Sequence, residues 1–402
     1  MRVAFVLGTT SGGTGRHVRM LTEGLVARGH RVVVAGPRSV EERFGFGAAG
    51  ARFVEVTVSD RPHPVNDARA ALTLRRVTRD ADVVHAHGLR AGALAGLAVP
   101  RRVPLVVTLH NALTAGGLIG FVYGVLERVV ARTAGHVLVV SPDLGERMRE
   151  LGARDVRAAV VPAPVPRPAR RSPREIRDEL KAGERPIVLT VARLAQQKGY
   201  ETLLDAARGP WEAGPDGLVS GDAMSEAGGD AGGKARGPVG GHPAGEVQGS
   251  GDGDVGTTPL FVVAGEGPLF DEMRRRIDDE RLPVTLLGNR DDVPDLLAAA
   301  TVVVWPSRWE GQPLSLSETL MCGRPVIATA VGGVPDLLAG AGILVPYGDA
   351  EALRSAVRKV TGDPAEAERL AAAAARRGGE LPGQNEAVES VLDVYDRQIP
   401  QG

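Results

Sequence analysis

Short apolar runs recur along this chain, each followed by a glycine-bearing turn and then a stretch of helical period. Runs of this kind, without polar alternation, mark strands covered on both faces, as in a parallel sheet. They fall at Val3 to Leu7, Arg31 to Ala35, Phe53 to Val58, Val83 to His85, Leu105 to Leu109 and Val137 to Val140. The stretch His17 to Arg28 has helical spacing and is closed by Gly29, a residue suited to ending a helix. The pattern is a βαβ series and predicts a doubly wound parallel sheet. Pro162-Ala-Pro-Val-Pro-Arg-Pro168 interrupts it and reads as a hinge between domains. A second series follows at Ile187 to Val191, Leu260 to Ala264, Val284 to Leu287, Val302 to Trp305 and Val326 to Thr329. The predicted architecture is α/β, with Rossmann-like domains at 1–165 and 166–384. Gly209 to Thr258 has no aliphatic period, is rich in Gly, Asp, Ala and Ser, and reads as a disordered surface insertion. Lengthening a surface loop costs only about 0.6 kcal/mol per doubling, so the fold tolerates it.

Composition narrows the class. At 402 residues, 43% hydrophobic and 24% charged, the chain suits two soluble domains. A single cysteine, Cys322, excludes a disulfide framework within the chain and fits a reducing compartment. The first apolar run is too short for a secretory signal, and no run approaches the roughly 18 residues of a spanning helix, so a cytoplasmic protein is expected. The net charge of −1 conceals an asymmetry: residues 1–170 carry 24 Arg/Lys against 13 Asp/Glu, and the remainder 24 against 36. A basic first half points to an anionic acceptor or to peripheral contact with the inner face of an anionic membrane; the other reading scatters arginines over solvated faces. The apolar run Gly117 to Leu126, followed by Arg128 and Arg132, is either a helix packed on its own sheet or a surface docked on lipid. No nucleic-acid partner is expected.

The chemistry-bearing residues cluster at strand ends. Gly12-Gly13-Thr-Gly-Arg-His17 follows the first strand and opens a helix, where backbone N–H groups face an anion. A dinucleotide fingerprint fits poorly: the third glycine is missing, and strand two ends in Gly36-Pro37 without a ribose-binding acid. His110 ends the strand Leu105 to Leu109, where ligands gather in open α/β sheets. His85 and His87 also sit at a strand end, but no third ligand is evident and no metal site is expected. Arg193 and Lys198 open the second domain, one at a strand end and one just before a helix, where two cations can stabilise growing negative charge without a metal. Gly265 and Gly288 lie in two further strand-end turns. After Val302 to Trp305 the chain runs Pro306-Ser-Arg-Trp-Glu310-Gly-Gln-Pro-Leu314-Ser315-Leu316-Ser-Glu318 into a helix stopping at Gly323. There Glu310, a loop acid beside the helix start, is either placed to accept hydrogen bonds from a ligand's hydroxyls or an ordinary exposed acid. Ser315-x-x-Glu318 is also a plain capping box, which would leave Glu318 a structural role only.

In their joint order these segments resemble the retaining GT-B glycosyltransferases of family 4, over nearly the whole chain apart from the insertion. The resemblance implies two Rossmann-like domains facing a cleft, and a last segment (385–402) that crosses back to the first domain. It implies transfer of a sugar from a nucleoside diphosphate sugar, with no further cofactor, to an acceptor that is a lipid, a glycan or a small molecule. His110, Arg193, Lys198 and Glu310 take the catalytic places, and Gly13, Gly265, Gly288, Leu314, Ser315, Leu316 and Glu318 the donor-binding ones. In this resemblance Glu318 binds the ribose, and the reaction proceeds by front-face attack without a dedicated nucleophile. Two positions depart from the family: Asp336 stands where Glu is usual, and Gln312 where an aromatic is frequent. The alternatives are a non-catalytic nucleotide-sugar binder and a GT-B sugar-nucleotide epimerase, the latter needing catalytic acids that the sequence does not reveal.

Overall fold

The expected strands pair in parallel in two separate sheets, as seen in a computed structural model that describes residues 1–10, 12–58, 64–111, 117–163, 165–211 and 258–398. The first sheet contains β1 (Arg2–Leu7), β2 (Arg31–Gly36), β3 (Arg52–Glu55), β4 (Val83–His87), β5 (Leu105–Leu109), β6 (His136–Val139) and β7 (Val156–Ala158). Its order is β3-β2-β1-β4-β5-β6-β7. The second contains β8 (Ile187–Val191), β9 (Leu260–Ala264), β10 (Val284–Gly288), β11 (Val302–Trp305), β12 (Val326–Thr329) and β13 (Ile343–Val345), in the order β10-β9-β8-β11-β12-β13. Central strands are buried from end to end, with β4, β5 and β9 showing no exposed position. That burial explains the mainly apolar runs that mark them in the sequence, with His85, His87 and Thr108 as buried polar exceptions.

Two short edge strands, β7 and β13, escape the sequence pattern. Both are three residues long and only partly buried, so they carry no extended apolar run. β3 stops at Glu55 rather than running to Val58, because the Val58 N–H turns back to the Val56 carbonyl. The helix after β1 spans Gly13–Ala27, so the glycine segment forms its first turn.

The last helix, Gln384–Asp396, leaves the second domain and packs on the first. Val388, Val391, Val394 and Tyr395 are buried in the same core as β1, β4 and β5. Each such side chain contributes about 1.5–3 kcal/mol on burial, which a 13-residue helix needs since it is marginal alone. Gly24 permits the approach: a Cβ there would lie 2.4 Å from Val388 Cγ2. Where the chain crosses between domains in both directions, the Ala163 N–H donates to the Pro382 carbonyl at 3.0 Å, tying the two crossings together.

Of the expected insertion 209–258, residues 212–257 lie outside the described residues. Its first residues belong to the fold: Trp211 is buried against Phe261 and donates from Nε1 to the Ala207 carbonyl. The helix Gly117–Thr133 buries Val130 and Ala131 in the core, while Phe121 and Val125, one turn apart, stay exposed. Among the described residues no helix is long and apolar enough to cross a membrane.

Candidate active site

In both sheets the strand order reverses between two central strands, β1/β4 and β8/β11. Crevices open at the carboxyl ends of strands at such points, because successive connections leave for opposite faces. Here the two crevices face each other across a cleft of about 850 Å³. The loop after β11 joins the walls: a Cβ at Gly311 would lie 2.5 Å from Val140 Cγ2, and Trp309 Nε1 donates to Asp143 Oδ2 at 2.8 Å.

The second-domain wall carries most of the charge. Lys198 Nζ and Glu310 Oε1 lie 2.5 Å apart, and Ser307 Oγ donates to the same oxygen at 2.7 Å. Two residues expected to act separately therefore form one pair, with the Glu310 side chain 7% exposed and that of Lys198 22%. Arg193 lines the cleft and has no carboxylate partner among the described residues. The helix Leu314–Met321 starts at the cleft. Its cap is Pro313 with no side-chain bond, so the Ser315/Glu318 capping box does not form. Glu318 instead lines the cleft; burial pushes its carboxyl up, while Arg16 and Arg167 pull it down.

Two expected donor residues are placed elsewhere. Leu316 is fully buried in the second-domain core, and its N–H is taken by the Pro313 carbonyl at 3.0 Å, which leaves the amides of Leu314 and Ser315 for a ligand. Gly288 is not part of the cleft wall; its carbonyl accepts from the Gly265 N–H at 2.7 Å and so braces Gly265, which does line it. The following residues, Asn289 and Arg290, reach the cleft instead. Arg290 is spent on Asp292 and Glu179.

The first-domain wall contains Gly13, Arg16, His17 and His110. Gly13 reaches the opposite wall: a Cβ there would lie 3.5 Å from Leu314 Cδ1. Behind this wall four imidazoles meet. His85 and His87 stack with ring centroids 4.2 Å apart, His87 Nδ1 lies 3.1 Å from His110 Nε2, and His17 packs edge-on against both His87 and His110. His85 bonds to the Tyr395 hydroxyl and to Thr108 Oγ1, each at 2.6 Å. Burial disfavours charge throughout, taking His17 down to about 4, His110 down to about 3, and His85 and His87 well below the usual range; the neighbouring imidazoles lower the last three further. Among the described residues no group of three or more His, Cys, Asp or Glu is placed to hold a metal ion.

Nine of the eleven expected residues thus line one cleft. Arg16 and His17 were present in the quoted motif but had no assigned role. Their signal was available: His17 lies four residues after Gly13, on the same helix face. The joining of His17 to His85, His87 and His110 has no such local mark.

Comparison with known proteins agrees with this geometry. Residues 12–164 match the family described as Glycosyl transferase 4-like domain, and residues 256–363 the family described as Glycosyl transferases group 1. The chain is 30% identical over 329 residues to the 2-deoxystreptamine N-acetyl-D-glucosaminyltransferase of Streptomyces fradiae, covering 76% of this chain and 68% of that enzyme. It is 32% identical over 109 residues to the UDP-Gal:alpha-D-GlcNAc-diphosphoundecaprenol alpha-1,3-galactosyltransferase of Escherichia coli, covering 26% of this chain and 28% of that enzyme. The chain thus matches little more than a quarter of the galactosyltransferase's length. Among solved structures, Anabaena Alr3699/HepE in complex with UDP superposes with a TM-score of 0.73 at 17% identity, over 99% of this chain and 100% of that one, a likeness of fold.

Proposed function

Because the chain belongs to the group 1 glycosyltransferases, we propose that it moves a sugar from a nucleoside diphosphate sugar to an acceptor with retention of anomeric configuration and without a metal ion. The observation that carries this reading is the meeting, in one cleft, of the Lys198–Glu310 pair with Arg193 and the amides of Leu314 and Ser315, which have no partner among the described residues. The diphosphate sits at the helix start, where Arg193 and the amides take the charge that grows on the leaving phosphate. Lys198 supplies further positive charge between that phosphate and Glu310, and the Glu310 carboxylate accepts from sugar hydroxyls. Glu318 binds the ribose.

The retention we propose involves no covalent intermediate, and the state of the carboxylates supports that part of the reading. A double displacement needs a free carboxylate to attack the anomeric carbon. Glu310 is held by Lys198 and Ser307, which suits it to binding rather than attack. In the proposed step the acceptor oxygen forms its bond to the anomeric carbon on the face that the phosphate leaves. The carbon–oxygen bond to phosphate breaks, and the acceptor proton passes to the departing phosphate oxygen. The anionic acceptor, or membrane surface, suggested by the basic first half belongs with Arg16 and Arg43, which line the first-domain side.

Titration calorimetry with UDP, GDP, ADP and dTDP on wild type and Glu318→Ala tests the donor site. Selective binding of one nucleotide, weakened about tenfold in the variant, is the expected result. Failure of all four to bind overturns the reading.

A further inference from the structure

In the first-domain wall His110 lines the cleft and pairs with His87 buried behind it. We propose that His87 is a positioning residue that fixes the tautomer of His110, so that His110 presents Nδ1–H to an oxygen of the bound sugar as a hydrogen-bond donor. The inference rests on the reading of the cleft as a sugar-nucleotide site.

His87 ends β4 and His110 follows β5, neighbouring strands in which His87 is opposite Thr108. The two rings are tilted by only 23°, with Nδ1 of His87 3.1 Å from Nε2 of His110. Two neutral imidazoles share one proton in such a bond. If His110 donated from Nε2, His87 would carry its own proton on Nε2. That nitrogen is buried and has no partner among the described residues, so a donor would be stranded. If His87 donates from Nδ1, only a bare lone pair is left on its Nε2. An unpaired buried N–H is the rarer and costlier defect, which selects the second arrangement.

The selection passes directly to the cleft. With Nε2 of His110 accepting, its remaining proton is on Nδ1, and no described residue bonds to that atom. His110 lines the cleft, whereas His87 is buried behind it, 3% exposed, and does not touch the ligand space. His110 is then a neutral donor toward a sugar oxygen and not a general base, because its cleft-facing nitrogen already holds a proton. The surroundings keep the arrangement in place: His85 stacks on His87 with both of its own nitrogens bonded, and Phe5 packs on both rings.

The test is a long-range ¹H–¹⁵N spectrum of ¹⁵N-histidine-labelled full-length protein without ligand, with the eight histidines resolved and His110 and His87 assigned by single substitution. The expected spectrum shows both as Nδ1–H tautomers; Nε2–H on His110 overturns the proposal. In His87→Phe, which keeps the ring and removes the donor, His110 loses its single tautomer and turnover falls about tenfold or more, while binding of the bare nucleoside diphosphate stays unchanged. His87→Asn, whose amide nitrogen falls near the place of Nδ1, recovers turnover better than His87→Gln. Wild-type turnover in His87→Phe also overturns the proposal. Since the spectrum needs no ligand, a failure of the tautomer assignment is distinguishable from a failure of the donor-site reading, which shows in the nucleotide titration.

Discussion

Replacing Lys198 separates the structural from the chemical part of the Lys198–Glu310 pair. Lys198→Met keeps the length of the side chain but leaves the Glu310 carboxylate, 7% exposed, without its counter-charge. Breaking a buried pair from one side costs about 3–5 kcal/mol, and the Ser307 bond retained at 2.7 Å places this case near the lower end, about 3 kcal/mol. Glu310→Gln strands a lysine that is 22% exposed and can reach water, so it costs less, about 1–2 kcal/mol. The double variant leaves no buried charge in the pair and is expected within about 1 kcal/mol of wild type, a coupling of roughly 3–5 kcal/mol. All three tryptophans (211, 305 and 309) are in the second domain, so urea unfolding followed by their fluorescence reports on the half of the protein that holds the pair. Turnover behaves differently. Loss of a cation that stabilises the leaving phosphate lowers it about 10²–10³-fold in both Lys198→Met and the double variant, with no recovery when stability returns. Additive destabilisation in the double variant would refute the pairing argument, and turnover above about a tenth of wild type in Lys198→Met would refute the catalytic one.

Two further predictions come from the histidine cluster. His17 is neutral in the fold and takes a proton on unfolding once pH drops below about 6.5, so its contribution is full above that value and is lost as pH falls toward 4; by pH 5 the loss is about 2 kcal/mol. Urea unfolding followed by circular dichroism at pH 7.5 and pH 5 should show it, and His17→Gln should reduce the difference; identical pH dependence in the variant would contradict the assignment. Tyr395→Phe removes the hydroxyl that bonds the buried His85 ring and is expected to destabilise by about 1–3 kcal/mol without changing nucleotide affinity, read from unfolding midpoints and calorimetry; an unchanged midpoint would show that the bond contributes nothing.

The sheets were legible in the chain because burial on both faces writes itself as continuous apolar runs. Ile187–Val191, Leu260–Ala264 and Val302–Trp305 appear with the expected bounds, and the strand-end turns that follow them carry Arg193, Gly265 and Glu310 to the cleft. Strand period and turn chemistry are local properties, decided within a few residues. What the tertiary structure alone decided are the meetings between distant segments. Lys198 and Glu310 are 112 positions apart and pair only because β8 and β11 are neighbours in the sheet. His17, His85, His87 and His110 converge because β1, β4 and β5 are adjacent, which the order of strands in the chain does not specify. The capping box at Ser315 and Glu318 had the right spacing, yet Pro313 caps that helix and Glu318 faces the cleft. Spacing along a chain fixes which side chains share an element and a face, whereas partners across elements depend on topology and on which polar groups are left to be satisfied once the core has closed.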